Sequence, residues 1–147
     1  MVAFVGTGPG DPNLLTLRGA DLLAKADLVV LDRAAHEDFL RHCRSGVEVA
    51  DLAEGREAAV ARMLEAGKAG RNVVRLCPGD PLFFADVTDE IAACAEAEVE
   101  FEIVPGVPAA TAVPAYAGIP TATAGTAEFR VVDAARVEDW SAHASCA

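Results

Sequence analysis

The chain has 147 residues, 52% of them hydrophobic but only 5% aromatic, with a formal net charge of −11. This length makes one domain of ordinary size, or one domain and the start of another. The acidic balance excludes partners bound through phosphate, because nucleic acids and anionic membrane surfaces are held by Lys and Arg, and no run of about 18 apolar residues exists to span a bilayer.

The elements follow in order. Val2–Val5 is a nearly continuous apolar run and predicts a buried strand, followed by the loop GTGPGD and a helix over Leu17–Lys25 with Thr16 as its cap. Leu28–Leu31 predicts a second strand, and HEDFLRHCRSG after it reads as a solvated helix carrying His36 and His42. Val47–Ala50 is a third strand. Arg56–Ala69 is a helix with Val60, Met63 and Leu64 at helical spacing, stopped by Gly70. Val73–Leu76 is a fourth strand. Thr88 is placed to cap a helix over Asp89–Ala97, whose acidic run on to Glu102 reads as an exposed face. Phe101–Val104 is a fifth strand, Ala109–Tyr116 a short Ala-rich helix, Glu128–Asp133 one more strand, and Glu138–Ala147 the beginning of a helix.

Alternating strands and helices predict an α/β fold, a parallel five-stranded sheet flanked by helices, with right-handed crossovers. The expected division is a first domain over residues 1–122, then a linker and the truncated start of a second α/β domain over 123–147. The N-terminus lacks a basic region followed by an apolar segment, so no signal peptide is read. The four cysteines form no C-x-x-C or zinc-like pairing, and there are three scattered histidines. A cytoplasmic chain with reduced thiols and no metal site is therefore expected. Cys77 reads as a packing residue at a strand end.

Three loops carry the chemistry. Gly6-Thr7-Gly8-Pro9-Gly10-Asp11 follows the first strand and is nearly a dinucleotide-binding turn, but Asp11 stands where the third glycine is needed. Pro9 and Pro12 also remove backbone donors, and no Gly-Lys-Ser/Thr follows for a Walker loop. Glycines serving only chain geometry are the plainer alternative. Cys77-Pro78-Gly79-Asp80-Pro81-Leu82-Phe83-Phe84 and Val104-Pro105-Gly106-Val107-Pro108 end the fourth and fifth strands. All three fall where open α/β sheets place ligands, and their atoms are mostly backbone and small apolar groups. Such a rim suits a ligand held by main-chain hydrogen bonds and aliphatic packing.

VGTGPGDPNLLTLRGADLLAKADLVVLDR, VVRLCPGDPLFF and FEIVPGVPAATAVPAYAGIP resemble, in order and spacing, the signature blocks of the tetrapyrrole (corrin/porphyrin) methylase family, over residues 2 to about 120. The likeness is greatest to its uroporphyrinogen-III C-methyltransferase branch. The resemblance implies two α/β domains, a homodimer and S-adenosylmethionine as co-substrate in the cleft between the domains. It implies donor-binding positions at Pro9, Pro78, Gly79, Asp80, Phe83, Pro108 and Ala109. The implied reaction is methylation of uroporphyrinogen III at C-2 and C-7, giving precorrin-2 on the way to siroheme and cobalamin. Two alternatives stay open: methylation of a later precorrin, and a non-catalytic methylase-like module fused to a uroporphyrinogen-III synthase domain.

Asp32, in Leu31-Asp32-Arg33, matches the family's Tyr-Asp-Arg block, whose aspartate is the proposed base. A strand-end Asp that pairs with Arg33 or caps a turn is the alternative. Asp80 is equally open to a turn-forming role before Pro81. Arg33 is the expected partner of an acceptor carboxylate, with Arg18 and Arg75 as further cations near the rim. The chain also departs from the family. Ala50-Asp51-Leu52 stands where a Gly-Lys-Arg block carries the proposed proton donor, and Asp86 stands where an arginine is expected to meet substrate carboxylates. Thr121-Ala122-Thr123-Ala124 replaces the block that closes the third signature.

Overall fold

A computed structural model gives the structure of the chain. It describes residues 1–84 and 87–140, Arg33 by its backbone alone. Five strands, β1 (Val2–Gly6), β2 (Leu28–Leu31), β3 (Glu48–Asp51), β4 (Val73–Cys77) and β5 (Phe101–Val104), form one sheet in the order β3-β2-β4-β1-β5. Every pairing is parallel, so all five strands end on the same rim.

The continuous apolar runs have a direct cause. Both faces of the sheet are covered, so successive side chains find a core on either side. Val2, Phe4, Leu28, Val30, Val73 and Cys77 face a core shared with α3 (Arg56–Lys68) and α4 (Thr88–Glu96), where Met63 and Cys94 are wholly buried. Ala3, Val5, Val29, Leu31, Val74 and Leu76 face the other way, onto Leu22 and Leu23 of α1 (Leu17–Lys25) and onto Phe39. Thr16 caps α1 as its sequence predicts, accepting a hydrogen bond from the Gly19 N–H at 3.1 Å. A short helix, α2 (Arg33–His36), follows β2, and α5 (Ala109–Tyr116) follows β5.

Five expectations are corrected. Thr88 is the first residue of α4, and Val87 occupies the cap without a side-chain bond. HEDFLRH forms the end of α2 and a 3-10 turn over Glu37–His42; its His36 and Phe39 are buried, so the stretch is not a solvated face. Glu128–Asp133 forms no strand, and the regular element there is a 3-10 turn at Ala134–Arg136. An apolar run makes a strand only when a neighbouring strand takes its hydrogen bonds, and among the described residues none lies beside this one. Residues 138–140 are not helical, and 141–147 lie outside the described residues. Fifth, the acidic run is not uniformly exposed. Glu90 is buried against Arg75, with Nε to Oε2 at 2.6 Å and Nη2 to Oε1 at 3.1 Å.

Candidate functional site

The loops after β1, β4 and β5 meet backbone to backbone. Gly8 and Gly79 exchange N–H···O bonds at 3.1 and 3.0 Å, and the Thr7 hydroxyl donates to the Cys77 carbonyl at 3.0 Å. Gly106 completes the contact. A Cβ on Gly106 would stand 2.0 Å from the Gly79 carbonyl oxygen, and one on Gly6 would stand 2.6 Å from it. Side chains would hold these loops apart, so glycine at 6 and 106 is a condition for building the rim. Gly79 itself has φ +61°, a backbone state that side chains oppose.

Asp80 ties two of the loops together. One carboxylate oxygen accepts from the Leu82 N–H at 2.9 Å, as an Asx turn, and the other accepts from the Gly106 N–H at 3.1 Å. The turn-forming role and a place at the site coincide in this residue, because it also borders the cavity that the loops enclose.

That cavity has a volume of about 440 Å³. Six of the expected donor-binding residues line it: Pro78, Gly79, Asp80 and Phe83 from the second loop, Pro108 and Ala109 from the third. Pro9 does not line it. Phe84 and the segment Val131–Ala134 do, and the sequence reading missed both. Phe84, next to Phe83 and edge-on to it at 4.9 Å, was within reach of that reading. Val131–Ala134, some fifty residues along the chain, was not. Rings at 83 and 84, prolines at 78 and 108 and small side chains at 109 and 110 make an apolar wall, and the first N–H groups of α5 leave polar atoms at one end. A cavity in the range of roughly 300–1,000 Å³ with this mixture fits a flat heterocycle carrying a polar tail. The residues therefore fit an adenosyl-bearing donor.

Asp32 stands apart from this cavity, at the end of β2. Its Oδ1 accepts from the Ala34 N–H at 3.2 Å, which caps α2, and its carboxylate borders two other cavities. One of these is acidic, with Glu37, Asp38 and Asp51. The other adjoins the donor cavity and holds His36, Arg56 and Arg75. Arg75 is not a rim cation, since it is 3% exposed and engaged by Glu90. Arg18 is bound by both oxygens of Glu102, at 2.7 and 2.9 Å. Arg33 opens α2 by its backbone, and Asp86 lies outside the described residues. Cys77 is buried at the base of the second loop, and burial pushes its thiol up to about 12, so it packs and does not react.

Comparison with known proteins points the same way. The chain is 41% identical over 128 residues to siroheme synthase 1 of Aeromonas hydrophila, covering 81% of this chain and 27% of that one. It resembles cobalt precorrin-4 methyltransferase, a cobalamin biosynthetic enzyme, with TM-score 0.77 and 32% identity over 83% of this chain and 52% of that one. It also resembles uroporphyrin-III C-methyl transferase from Thermus thermophilus complexed with S-adenyl homocysteine, with TM-score 0.69 and 35% identity over 84% of this chain and 54% of that one. The chain thus spans about a quarter of the synthase and half of each solved methyltransferase. The model of one family, Tetrapyrrole (Corrin/Porphyrin) Methylases, matches residues 1–146. By its parallel sheet, by its glycine-built rim and by that match over almost its whole length, the chain belongs to the tetrapyrrole methylases.

Proposed function

We propose that this chain supplies the donor-binding half of an S-adenosylmethionine-dependent C-methyltransferase acting on uroporphyrinogen III. Residues 1–122 would form its first domain and 123–147 the start of its second. The observation that carries the reading is the convergence of Pro78, Gly79, Asp80, Phe83, Pro108 and Ala109 on one cavity of donor size. Its support is the family membership and the uroporphyrin-III C-methyl transferase relative, complexed with the demethylated donor. Siroheme or cobalamin synthesis, a homodimer and a fused uroporphyrinogen-III synthase domain belong to the same proposal.

The bound donor would supply an electrophilic methyl group on sulfur. The chain's own residues position it. Phe83 offers a ring face to the adenosyl moiety. Gly79 allows the backbone close approach, and Asp80 holds the second and third loops at fixed separation. Methylation at a pyrrole carbon leaves one proton to remove, and Asp32 is the carboxylate proposed to take it. Its attachment to the Ala34 N–H fixes one oxygen of the carboxylate. A second reading, methylation of a later precorrin, is favoured by the likeness to cobalt precorrin-4 methyltransferase.

Calorimetric titration of the full natural polypeptide with S-adenosylhomocysteine tests the donor site, and Ala109→Trp should abolish the heat by filling the cavity. Lack of binding by the unmodified protein would sink the enzyme reading. Labelled methyl transfer to uroporphyrinogen III, set against later precorrins, then separates the two acceptors.

A further inference from the structure

Beside the donor cavity lies a smaller compartment of about 250 Å³, bordered by Asp32, His36, Leu52, Arg56, Arg75 and Phe84. Pro78 and Phe84 border both spaces, so the second loop is the partition between them. His36 is 2% exposed, and among the described residues its Nδ1 has no hydrogen-bond partner. Buried polar atoms are nearly always paired, and an unpaired one on a residue that borders a cavity points to a partner that arrives from outside.

The charges around the compartment specify that partner. Arg56 and Arg75 share Glu90, at 2.7 and 2.6 Å, and the trio keeps one positive charge in excess. Asp32 balances it. With a neutral imidazole the four residues carry no net charge, so an anion entering alone would be unbalanced. An anion entering with a proton on His36 would not. Among the described residues, the charged groups that border the compartment with His36 are Asp32 from the end of β2, Arg75 from β4 and Arg56 from α3, and Glu90 from α4 pairs with both arginines. The Phe39 ring lies edge-on at 6.1 Å. Glu37, Asp38 and Asp51 line the separate cavity on the far side of Asp32. Burial, and then Arg75, hold the His36 ring toward its neutral form, while Asp32 pulls the other way.

We propose that this compartment seats one carboxylate arm of the acceptor, with Nδ1–H of a protonated His36 donating to it, so that arm and proton bind together. The inference rests on the methylase reading above, in which the acceptor is a tetrapyrrole carrying several carboxylates. The proton comes from solvent, and no bond to carbon changes. His36 is thus a positioning and specificity residue for the acceptor, on the opposite side of Phe84 from the donor.

The test is anaerobic titration of uroporphyrinogen III into the full natural polypeptide saturated with S-adenosylhomocysteine, at about pH 6, 7 and 8. Affinity should fall with rising pH, by up to about tenfold per unit for one linked proton. His36→Leu should bind more weakly and lose the slope. His36→Asn keeps an N–H near the Nδ1 position, so it should recover part of the affinity without the slope. Neither change should alter affinity for S-adenosylhomocysteine. In the unmodified protein the imidazole nitrogen resonances of His36, but not of His42, should move to the protonated form on titration, a readout that survives if His36→Leu does not fold. An unchanged slope in His36→Leu, or unmoved His36 resonances at saturation, overturns the subsite and leaves the methylase reading standing. Failure to bind the tetrapyrrole at any pH overturns both.

Discussion

His36 and Asp32 stand one helical turn apart, the His36 N–H donating to the Asp32 carbonyl at 3.0 Å, yet their surroundings separate them. The histidine is buried while the aspartate lies at a cavity mouth. Burial lowers the imidazole below its ordinary 6.5, so on acidification the folded chain takes up this proton later than the unfolded chain does. The stabilisation is complete above that ordinary value and is lost as pH falls through the lowered one. Denaturation midpoints followed from neutral to mildly acidic pH should fall in the unmodified protein and fall less in His36→Leu. The same burial acts with opposite sign on a thiol. Cys77, raised to about 12, should resist alkylation at mildly alkaline pH for as long as the fold is intact, whereas half-buried Cys43 should react before it. Mass spectrometry of the labelled peptides checks the order.

At the level of elements, the two sides of the rim are held by different forces. The loops after β1, β4 and β5 rest on close backbone approach, and there the methyl group of Gly106→Ala would meet the Gly79 carbonyl at 2.0 Å. This change should destabilise the chain by more than the usual point mutation, about 3 kcal/mol or above, and should abolish S-adenosylhomocysteine binding even in the molecules that remain folded. The opposite side rests on the pair between β4 and α4. Glu90→Ala strands the Arg75 guanidinium between Val73 and Cys77, and a cost of about 3–5 kcal/mol is expected in chemical denaturation. Thr16→Ala removes only the cap of α1, a smaller loss of about 1 kcal/mol.

For the whole molecule, the donor cavity is made by segments far apart in the chain, with Val131–Ala134 closing what the second and third loops begin. Relatives that match it are longer, since the chain covers about half of each solved methyltransferase. If a second domain completes the cleft, as the proposed function has it, the 147-residue chain alone should bind S-adenosylhomocysteine more weakly than a polypeptide carrying that domain and turn over no tetrapyrrole, which parallel titration and methyl-transfer assays decide. Among the described residues, no helix is long and apolar enough to cross a membrane.

Much of this could be read before folding. Apolar runs without alternation predict strands covered on both faces, and all five form; Thr16, three residues ahead of Gly19, predicts its helix start. The Pro-Gly-Asp-Pro and Val-Pro-Gly loops predict a backbone-lined rim because glycine and proline restrict what the chain can do locally. Six of the seven expected donor positions share one cavity, and Pro9 stands outside it. Each of these rests on interactions within a few residues, or on a periodicity that the chain carries by itself. What only the tertiary structure decided are the pairings between distant segments. Arg75 looks like a rim cation in sequence and becomes a buried ion because α4 brings Glu90, fifteen residues on, against it. His36 looks solvated and becomes a buried imidazole, its Nδ1 unpaired among the described residues, because α2 turns it inward against Phe39 and Arg75. Val131 and Val132 look like a strand and instead close a cavity, since a strand needs a neighbour that only the folded chain can bring. Charge, burial and pairing across the sheet depend on what arrives from elsewhere, and no local pattern encodes that.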